Sequence, residues 1–196
     1  KILSCIRQRK THSNIMRSGI GVGGYCLTKD PLFAKASSKQ ILHQEFDFPL
    51  STVATKVNQK MTFDIMSEIK NRFSKKITGK KVLLIGVSYR EDTNDTRYSP
   101  AEGVYSFLKK IRCKLNFYDP IVNYWEYSGG YTMKKNNLKN FDVYIYLIKH
   151  HSFKNLNIQY KNKSLILDLN HVLENKKRIK ISKNKNLNNY FIGSKK

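Results

Sequence analysis

The chain is expected to fold as an α/β protein: a parallel sheet with helices, preceded by a mostly helical segment with one long connecting helix. Three observations lead there. Four short apolar runs, KVLLIGVSY, KLNFYDP, FDVYIYLI and KSLILDL, recur between helical or loop stretches in the C-terminal part; runs of that length in that order indicate strands of a parallel sheet buried on both faces. Ahead of them lies an unbroken four-residue periodicity with no Gly or Pro inside it, the mark of a long helix. The composition, 40% hydrophobic and 12% aromatic with 26% charged, is globular, and 196 residues suffice for one good core or for one domain plus part of another.

Taken in order, residues 11–24 (THSNIMRSGIGVGG) are polar and then glycine-rich, hence a loop. PLFAKASSKQIL follows as a helix, with Asp30 as N-cap and Pro31 at the first helical position. FDFPL breaks the chain at Pro49. From about Ser51 to Phe73, Val53, Val57, Met61, Ile65, Ile69 and Phe73 recur every four residues, broadened by Ala54 and Met66 into one buried stripe. KVLLIGVSY is the first strand, followed by the polar loop REDTNDTRY. Ser99, Pro100 and Glu102 then supply the N-cap, first-turn proline and capping-box acid of a helix whose buried face is Val104, Phe107, Leu108 and Ile111. KLNFYDP stops as a strand at Asp119-Pro120, FDVYIYLI and KSLILDL are the third and fourth, and YFIG closes the chain. The Lys/Asn-rich stretch 174–189 reads as a solvated connection. Residues 79–196 are thus expected to form a compact Rossmann-like domain, and residues 1–75 the tail of something larger.

Lys and Arg total 37 against 14 for Asp and Glu, a formal charge of +23. Such a balance suits a partner rich in negative charge, nucleic acid, membrane surface or phosphorylated small molecule. The charge is spread along the chain and accompanied by Asn (KKNNLKN, KNKNLNN) rather than gathered with aromatics in a nucleic-acid motif. A compositional bias with local use of some charges on phosphates is the favoured reading, with no nucleic acid and no membrane as partner. No apolar run approaches the ~20 residues of a membrane-spanning helix. KILSCIRQRK has no long apolar stretch after its charges and so no secretory signal. The chain starts without Met and in mid-pattern, which reads as a fragment or the tail of an interrupted reading frame. Cys5, Cys26 and Cys113 are odd in number, sparse and without metal-ligand spacing, which points to a reducing compartment and a cytoplasmic protein.

The densest chemical signal is GIGVGGYCLTKDP, Gly19 to Pro31. Four glycines in six positions let the backbone approach a ligand closely, and bare amides suit phosphate or sugar oxygens. Cys26 follows directly, with Lys29, Asp30 and a helix N-terminus beyond it; positive charge and a helix start favour a nucleophilic thiolate. Cys5 and Cys113 take the commoner reading of a small buried hydrophobe. His150 and His151 have no carboxylate or cysteine cluster beside them, so packing at a strand end is read for them rather than metal binding, and the same for His12 and His43.

GVGGYCLTKD at 21–30 resembles the G-x-G-G-x-C-hydrophobic-x-K-D motif of the UDP-glucose/GDP-mannose dehydrogenases. LLIGVSYREDTNDTRYSPA at 83–101 resembles the same family's strand, aromatic–basic pair and D-T-x-D-x-R-x-S-P run. FYDP, LIKHHSF, ILDLNHVL and YFIG follow collinearly. The resemblance implies an NAD-dependent enzyme that oxidises the C6 alcohol of a UDP-sugar, of the UDP-glucose or UDP-N-acetylhexosamine type, to the uronate for polysaccharide precursors. It implies that Cys26 attacks the intermediate aldehyde and carries a thioester, and that Asp30 helps activate the hydrolytic water. Lys29 would lie beside the cofactor and Arg97 on the NAD pyrophosphate, the alternative for Arg97 being a salt bridge to Asp92 or Asp95. Arg17, Gly19, Ile20, Gly21, Val22 and Gly23 would belong to the loop wrapping the sugar nucleotide. Arg90 would meet the substrate phosphates in place of the family's lysine, and Arg9 or Lys10 would reach a neighbouring subunit's substrate. A homodimer made through the long helix is likewise implied. Asn170 departs from the arginine the family carries there. The family's GxGxxG domain and its catalytic lysine and asparagine would precede residue 1, so the chain alone is expected to be inactive; it would then only bind a nucleotide sugar, and a basic nucleic-acid-binding protein is the remaining alternative.

Overall fold

The structure, a computed structural model, describes residues 2–15 and 19–192. Its first part is helical. A short α1 (Ile2–Ile6) and a 3-10 turn (Lys10–His12) precede the glycine loop. That loop runs into α2 (Tyr25–Lys29), a 3-10 turn (Asp30–Leu32) and α3 (Phe33–Gln40). The expected Asp30 N-cap is not formed. Asp30 has helical dihedrals inside the continuous α2–α3 segment, so its carboxylate has no uncapped amide to serve and pairs with Lys29 instead.

The long helix α4 spans Pro49–Ile77. Pro49 opens this helix rather than breaking the chain, because the first turn needs no amide hydrogen from it. The ladder distorts at Phe73 (φ −127°, ψ 27°), and the last turn bends onto the sheet. The buried side of α4 is Thr55, Thr62, Met66, Ile69 and Ile77, whereas Val53 and Val57 of the expected stripe are more than half exposed. The stripe holds only where α4 crosses the sheet domain; nearer its start, polar side chains face the protein and the apolar row faces outward.

The remainder builds a sheet. After β1 (Lys81–Ile85) comes α5 (Pro100–Lys110), then β2 (Lys114–Tyr118) and a small antiparallel hairpin of β3 (Tyr124–Trp125) and β4 (Gly130–Tyr131) that the sequence reading did not anticipate. The strands β5 (Val143–Tyr146) and β6 (Leu165–Asp168), the helix α6 (Asn175–Lys183) and β7 (Asn188–Phe191) complete the chain. Five strands, all parallel, stand in the order β2-β1-β5-β6-β7, with Val82 opposite both Leu115 and Val143. The period-two alternation sends Val82, Leu84, Ile145 and Leu167 to a core under α4 and α5. Leu83, Ile85, Tyr144 and Ile166 go to a second core on the other face. Each fully buried aliphatic side chain there contributes about 1.5–3 kcal/mol, so the sheet is the stable part of the molecule. The segment before α4 buries little beyond Ile20 and Ser38.

The N-cap half of the expected capping box forms on α5: Ser99 Oγ accepts from the Ala101 amide at 3.2 Å, while the Ser99 amide donates to the Thr96 carbonyl at 3.1 Å rather than to Glu102. Ala101, Val104, Phe107 and Leu108 are buried and Ile111 packs partly. The stretch at 174–189 is not merely solvated. Its α6 buries Ile181, and Arg178 donates to the buried Asp168 carboxylate at 2.6 Å; these anchors are too few to leave a periodic trace in a lysine-rich run. Cys5 is exposed rather than buried, because α1 lies against no core. Cys113 is half-buried, its thiol donating to the Ile77 carbonyl at 3.0 Å. His150 is fully buried near a strand end, as expected, but carboxylates do stand beside the pair, Asp119 at His150 and Asp92 at His151. His43, in a loop, and His151, at the start of the His151–Asn155 3-10 turn, are exposed.

Candidate functional site

The glycine loop is held as though it were an extra strand. Asn58 on α4 accepts from the Val22 amide and donates to the Val22 carbonyl, both at 2.7 Å, and Thr62 one turn later donates to the Ile20 carbonyl at 3.0 Å. Side chains thereby satisfy backbone groups that a sheet would otherwise pair. Gly21 (φ +140°) and Gly24 (φ +94°) take conformations that favour glycine, and Gly23 has no room for a side chain. A Cβ there would lie 2.7 Å from the Tyr98 carbonyl oxygen and 2.8 Å from Pro100 Cδ. The loop therefore lies flat on Tyr89, Tyr98 and Pro100 of the β1–α5 connection. Ile20 is its apolar anchor, 1% exposed in the core. At the other end Gly19 abuts the side-chain amide of Asn170, just past β6.

Cys26 follows Gly24, the N-cap of α2, and is exposed in the first turn of that helix. Around it the sequence-expected groups gather. Lys29 Nζ is 2.8 Å from Asp30 Oδ1 and lies 4.0 Å above the Tyr25 ring and 4.3 Å from that of Phe33. The Asp30 carboxylate raises the Lys29 ammonium above its ordinary value. Arg97 crosses from the β1–α5 loop to stand 5.0 Å from the centre of the Tyr25 ring, which also touches that of Tyr98. The guanidinium forms the salt bridge weighed from the sequence, to Asp95 at 2.7 Å, and this pairing holds the Asp95 carboxyl below its usual range. Arg97 nevertheless remains mostly exposed.

Strand order locates a second feature. The chain winds from β1 outward to β2, then jumps back across β1 to β5, so the carboxyl ends of β1 and β5 form the topological switch point where open parallel sheets bind ligands. The loop after β1 carries Arg90, exposed at this edge. Gly86 (φ +80°) sits so close to the Ile148 backbone that no Cβ would fit. Beneath the loop is a buried polar knot. Asp119 accepts from the amides of Val87 (2.8 Å), Ile121 (3.0 Å) and Val122 (3.0 Å), and faces His150 Nε2 at 3.1 Å. The Asp92 amide donates to His150 Nδ1 at 3.1 Å, so Nε2 carries the proton and donates to Asp119. The Asp92 carboxylate in turn accepts from the backbone amide of His151 and pairs with its ring, which hold it below the usual carboxylate range. This knot fixes the shape of the segment that presents Arg90 and Arg97.

Between the two halves lies a cleft of about 350 Å³, lined among others by Gly21, Val22, Lys29, Asn58, Pro100 and Glu102. Burial pushes the Glu102 carboxyl up, against the pull of the Tyr98 and Ser99 amides. The fold therefore brings Gly19, Ile20, Gly21, Val22, Gly23, Cys26, Lys29, Asp30 and Arg97 together, with Arg90 adjoining through Tyr89. It does not bring Lys10 to them: that residue is exposed in the Lys10–His12 turn, and no hydrogen bond or ion pair among the described residues ties its side chain to the loop. Arg17 lies outside the described residues. Sequence reasoning missed Asn58, Thr62, Tyr89, Tyr98 and the role of His150. The polar positions interrupting the apolar side of α4 were a signal for the first two. Nothing local signals the rest.

Residues 83–175 match the model of the UDP-glucose/GDP-mannose dehydrogenase family, UDP binding domain. The UDP-N-acetyl-D-mannosamine dehydrogenase of Methanococcus aeolicus is 32% identical over 83% of this chain and 34% of that protein. The UDP-glucose 6-dehydrogenase of Rickettsia conorii is 26% identical over 93% of this chain and 43% of that protein. The crystal structure of the NDP-N-acetyl-D-galactosaminuronic acid dehydrogenase from Methanosarcina mazei Go1 superposes with a TM-score of 0.74 at 25% identity, covering 93% of this chain and 40% of that one. The chain spans less than half the length of each of these relatives. With residues 83–175 matching that model and the matched relatives aligned over most of this chain, the chain belongs to the UDP-glucose/GDP-mannose dehydrogenase family.

Proposed function

We propose that this chain is the C-terminal part of an NAD-dependent UDP-sugar 6-dehydrogenase, with residues 79–196 holding the UDP end of the substrate and residues 1–75 supplying the cysteine loop and long helix. The observation that carries the reading is the two-sided clamp on the glycine loop. Asn58 and Thr62 grip it from α4 while Tyr89, Tyr98 and Pro100 support it from the sheet domain, so Cys26 and the Arg90–Arg97 loop share one edge. The names of the relatives favour an N-acetylhexosamine or glucose nucleotide as substrate, and a cytoplasmic route to polysaccharide precursors is part of the same proposal.

The residues fit one part of an NAD molecule. Arg97 offers an exposed guanidinium of the kind that meets a pyrophosphate, and Lys29 an ammonium beside Cys26. A glycine-rich strand-to-helix turn of the dinucleotide kind does not follow β1. When bound, NAD supplies the hydride acceptor for both oxidations. The chain's own residues do the rest. Cys26 Sγ would form the bond to the C6 aldehyde carbon and hold the sugar as its thioester until water displaces the sulfur. Asp30, ion-paired with Lys29, orients the water that releases the carboxylate and frees the thiol. Arg90 neutralises the substrate phosphates. The exposed row Leu50, Val53 and Val57 on α4 supports a homodimer formed along that helix. By itself the chain is expected to bind the nucleotide sugar without turning it over.

Calorimetric titration with UDP, GDP, UDP-glucose and UDP-N-acetylmannosamine tests this, alongside Arg90→Ala. The expected result is binding of a UDP ligand that weakens at least roughly tenfold in the variant, the loss of one charge-assisted phosphate contact. A folded chain that binds no nucleotide, or that binds DNA in a salt-sensitive manner indifferent to Arg90, would overturn the assignment.

A further inference from the structure

On the sheet face away from α4 and α5 is a partly open cavity of about 150 Å³, bounded by the end of β5, the segment after β6, the His151–Asn155 turn with the segment after it, and α6. Its walls are aromatic or branched, chiefly Phe153, Leu156, Ile158, Val172, Leu173 and Ile181. An apolar cavity of this size has room for one six-membered ring.

Two further features are polar. Tyr146 and Tyr160 both line the cavity, with their hydroxyls 2.7 Å apart. Whichever donates, the pair uses one of its two hydroxyl hydrogens and leaves the other for an acceptor. Burial pushes Tyr146 well up and Tyr160 to about 12, so both remain donors at neutral pH. At the rim stand Lys149, Lys154, Lys177 and Lys180 against one acid, Glu174. The Lys177 ammonium is already engaged, donating to the carbonyls of Leu156 (3.0 Å), Lys154 (3.4 Å) and Phe153 (3.5 Å) and so pinning the roof of the cavity to α6. The other three ammonium groups remain to meet the charge of a ligand.

We propose that this cavity binds a small aromatic carboxylate, its ring held among Phe153, Ile158 and Ile181 and its carboxylate directed to the lysine rim. An uncharged ring would fill the space but leave the rim charge unanswered. An aromatic amine of the same shape meets like charge at the mouth. The cavity is separate from the cleft beside Cys26, and its occupancy does not depend on the reaction proposed above.

The experiment is a titration of the folded chain with sodium benzoate, followed by thermal shift and by methyl resonances of Ile158, Leu173 and Ile181, with benzylamine as comparator. Benzoate is expected to give saturable shifts confined to the cavity methyls, with benzylamine roughly tenfold weaker or more, the effect of reversing one charge at the rim. A Lys154→Glu/Lys180→Glu double variant changes two exposed side chains, is expected to fold, and should weaken benzoate by a similar factor. No saturable shift at tens of millimolar benzoate, equal binding of benzylamine, or unchanged affinity in the double variant would each overturn the proposal.

Discussion

The side-chain amide of Asn58 and the main chain of Val22 close a two-way hydrogen-bonded pair, amide to Oδ1 and Nδ2 to carbonyl, each 2.7 Å long. A helix side chain here imitates a neighbouring strand, and a loop rich in glycine acquires one shape without a sheet to impose it. Asn58→Leu keeps the size and removes both bonds. The expected loss is about 1–2 kcal/mol, with faster hydrogen exchange at the Val22 amide. Exchange unchanged from the parent would mean that the platform of Tyr89 and Tyr98 holds the loop alone.

Two glycines separate close packing from backbone strain. Gly23→Ala sets a Cβ 2.7 Å from the Tyr98 carbonyl oxygen, so the loop must lift, at about 1–3 kcal/mol. Gly79→Ala meets nothing within 4 Å and pays only for its φ of +70°, about 1 kcal/mol. Alkylation of Cys26 should change rate in the first variant and stay constant in the second, although urea titration finds both less stable.

Acid should loosen the switch-point knot. Burial alone would push the Asp119 carboxyl up, but His150 and the amides of Val87 and Ile121 outweigh it, and the folded value lies below the usual carboxylate range. A group lowered on folding contributes stability that is complete above its unfolded value, about 3.9, and is lost as pH falls from there through the folded value. Stability measured by urea titration between neutral pH and strong acid should therefore fall on the acid side, and Asp119→Asn should flatten that limb. An equally steep acid limb in the variant would assign the effect to other carboxylates.

The three thiols should differ in reactivity. Cys5 and Cys26 are exposed, whereas burial pushes the Cys113 thiol up and its hydrogen is donated to the Ile77 carbonyl. Peptide mapping after brief iodoacetamide treatment at mild pH should find Cys113 the last to be modified. Labelling of Cys113 as fast as Cys26 would show that the joint between α4 and β1 opens readily.

The sheet was readable because a strand buried on both faces must be apolar at nearly every position, and KVLLI and VYIY are. The Ser99 cap on α5 was readable for a local reason as well, since it acts on an amide within a turn of itself. The α4 stripe was only half right. A four-residue period reports an apolar face but not what covers it, and at the start of α4 the face turned inward is Thr55, Asn58 and Thr62. Arg97 illustrates the limit in another way: both the salt bridge to Asp95 and the reach to Tyr25 exist, and sequence could only rank them as rivals.

By itself the sequence determined the parallel α/β architecture, the glycine run before Cys26 and the capped start of α5, because each depends on neighbours within a few positions. Tertiary structure alone decided which surfaces meet. Val22 and Asn58 are 36 residues apart and Ile20 and Thr62 are 42, while Asp119 and His150 join the ends of two strands that are not adjacent in the sheet. Such pairs match a donor to an acceptor across a fold that must already exist, so no periodicity along the chain records them.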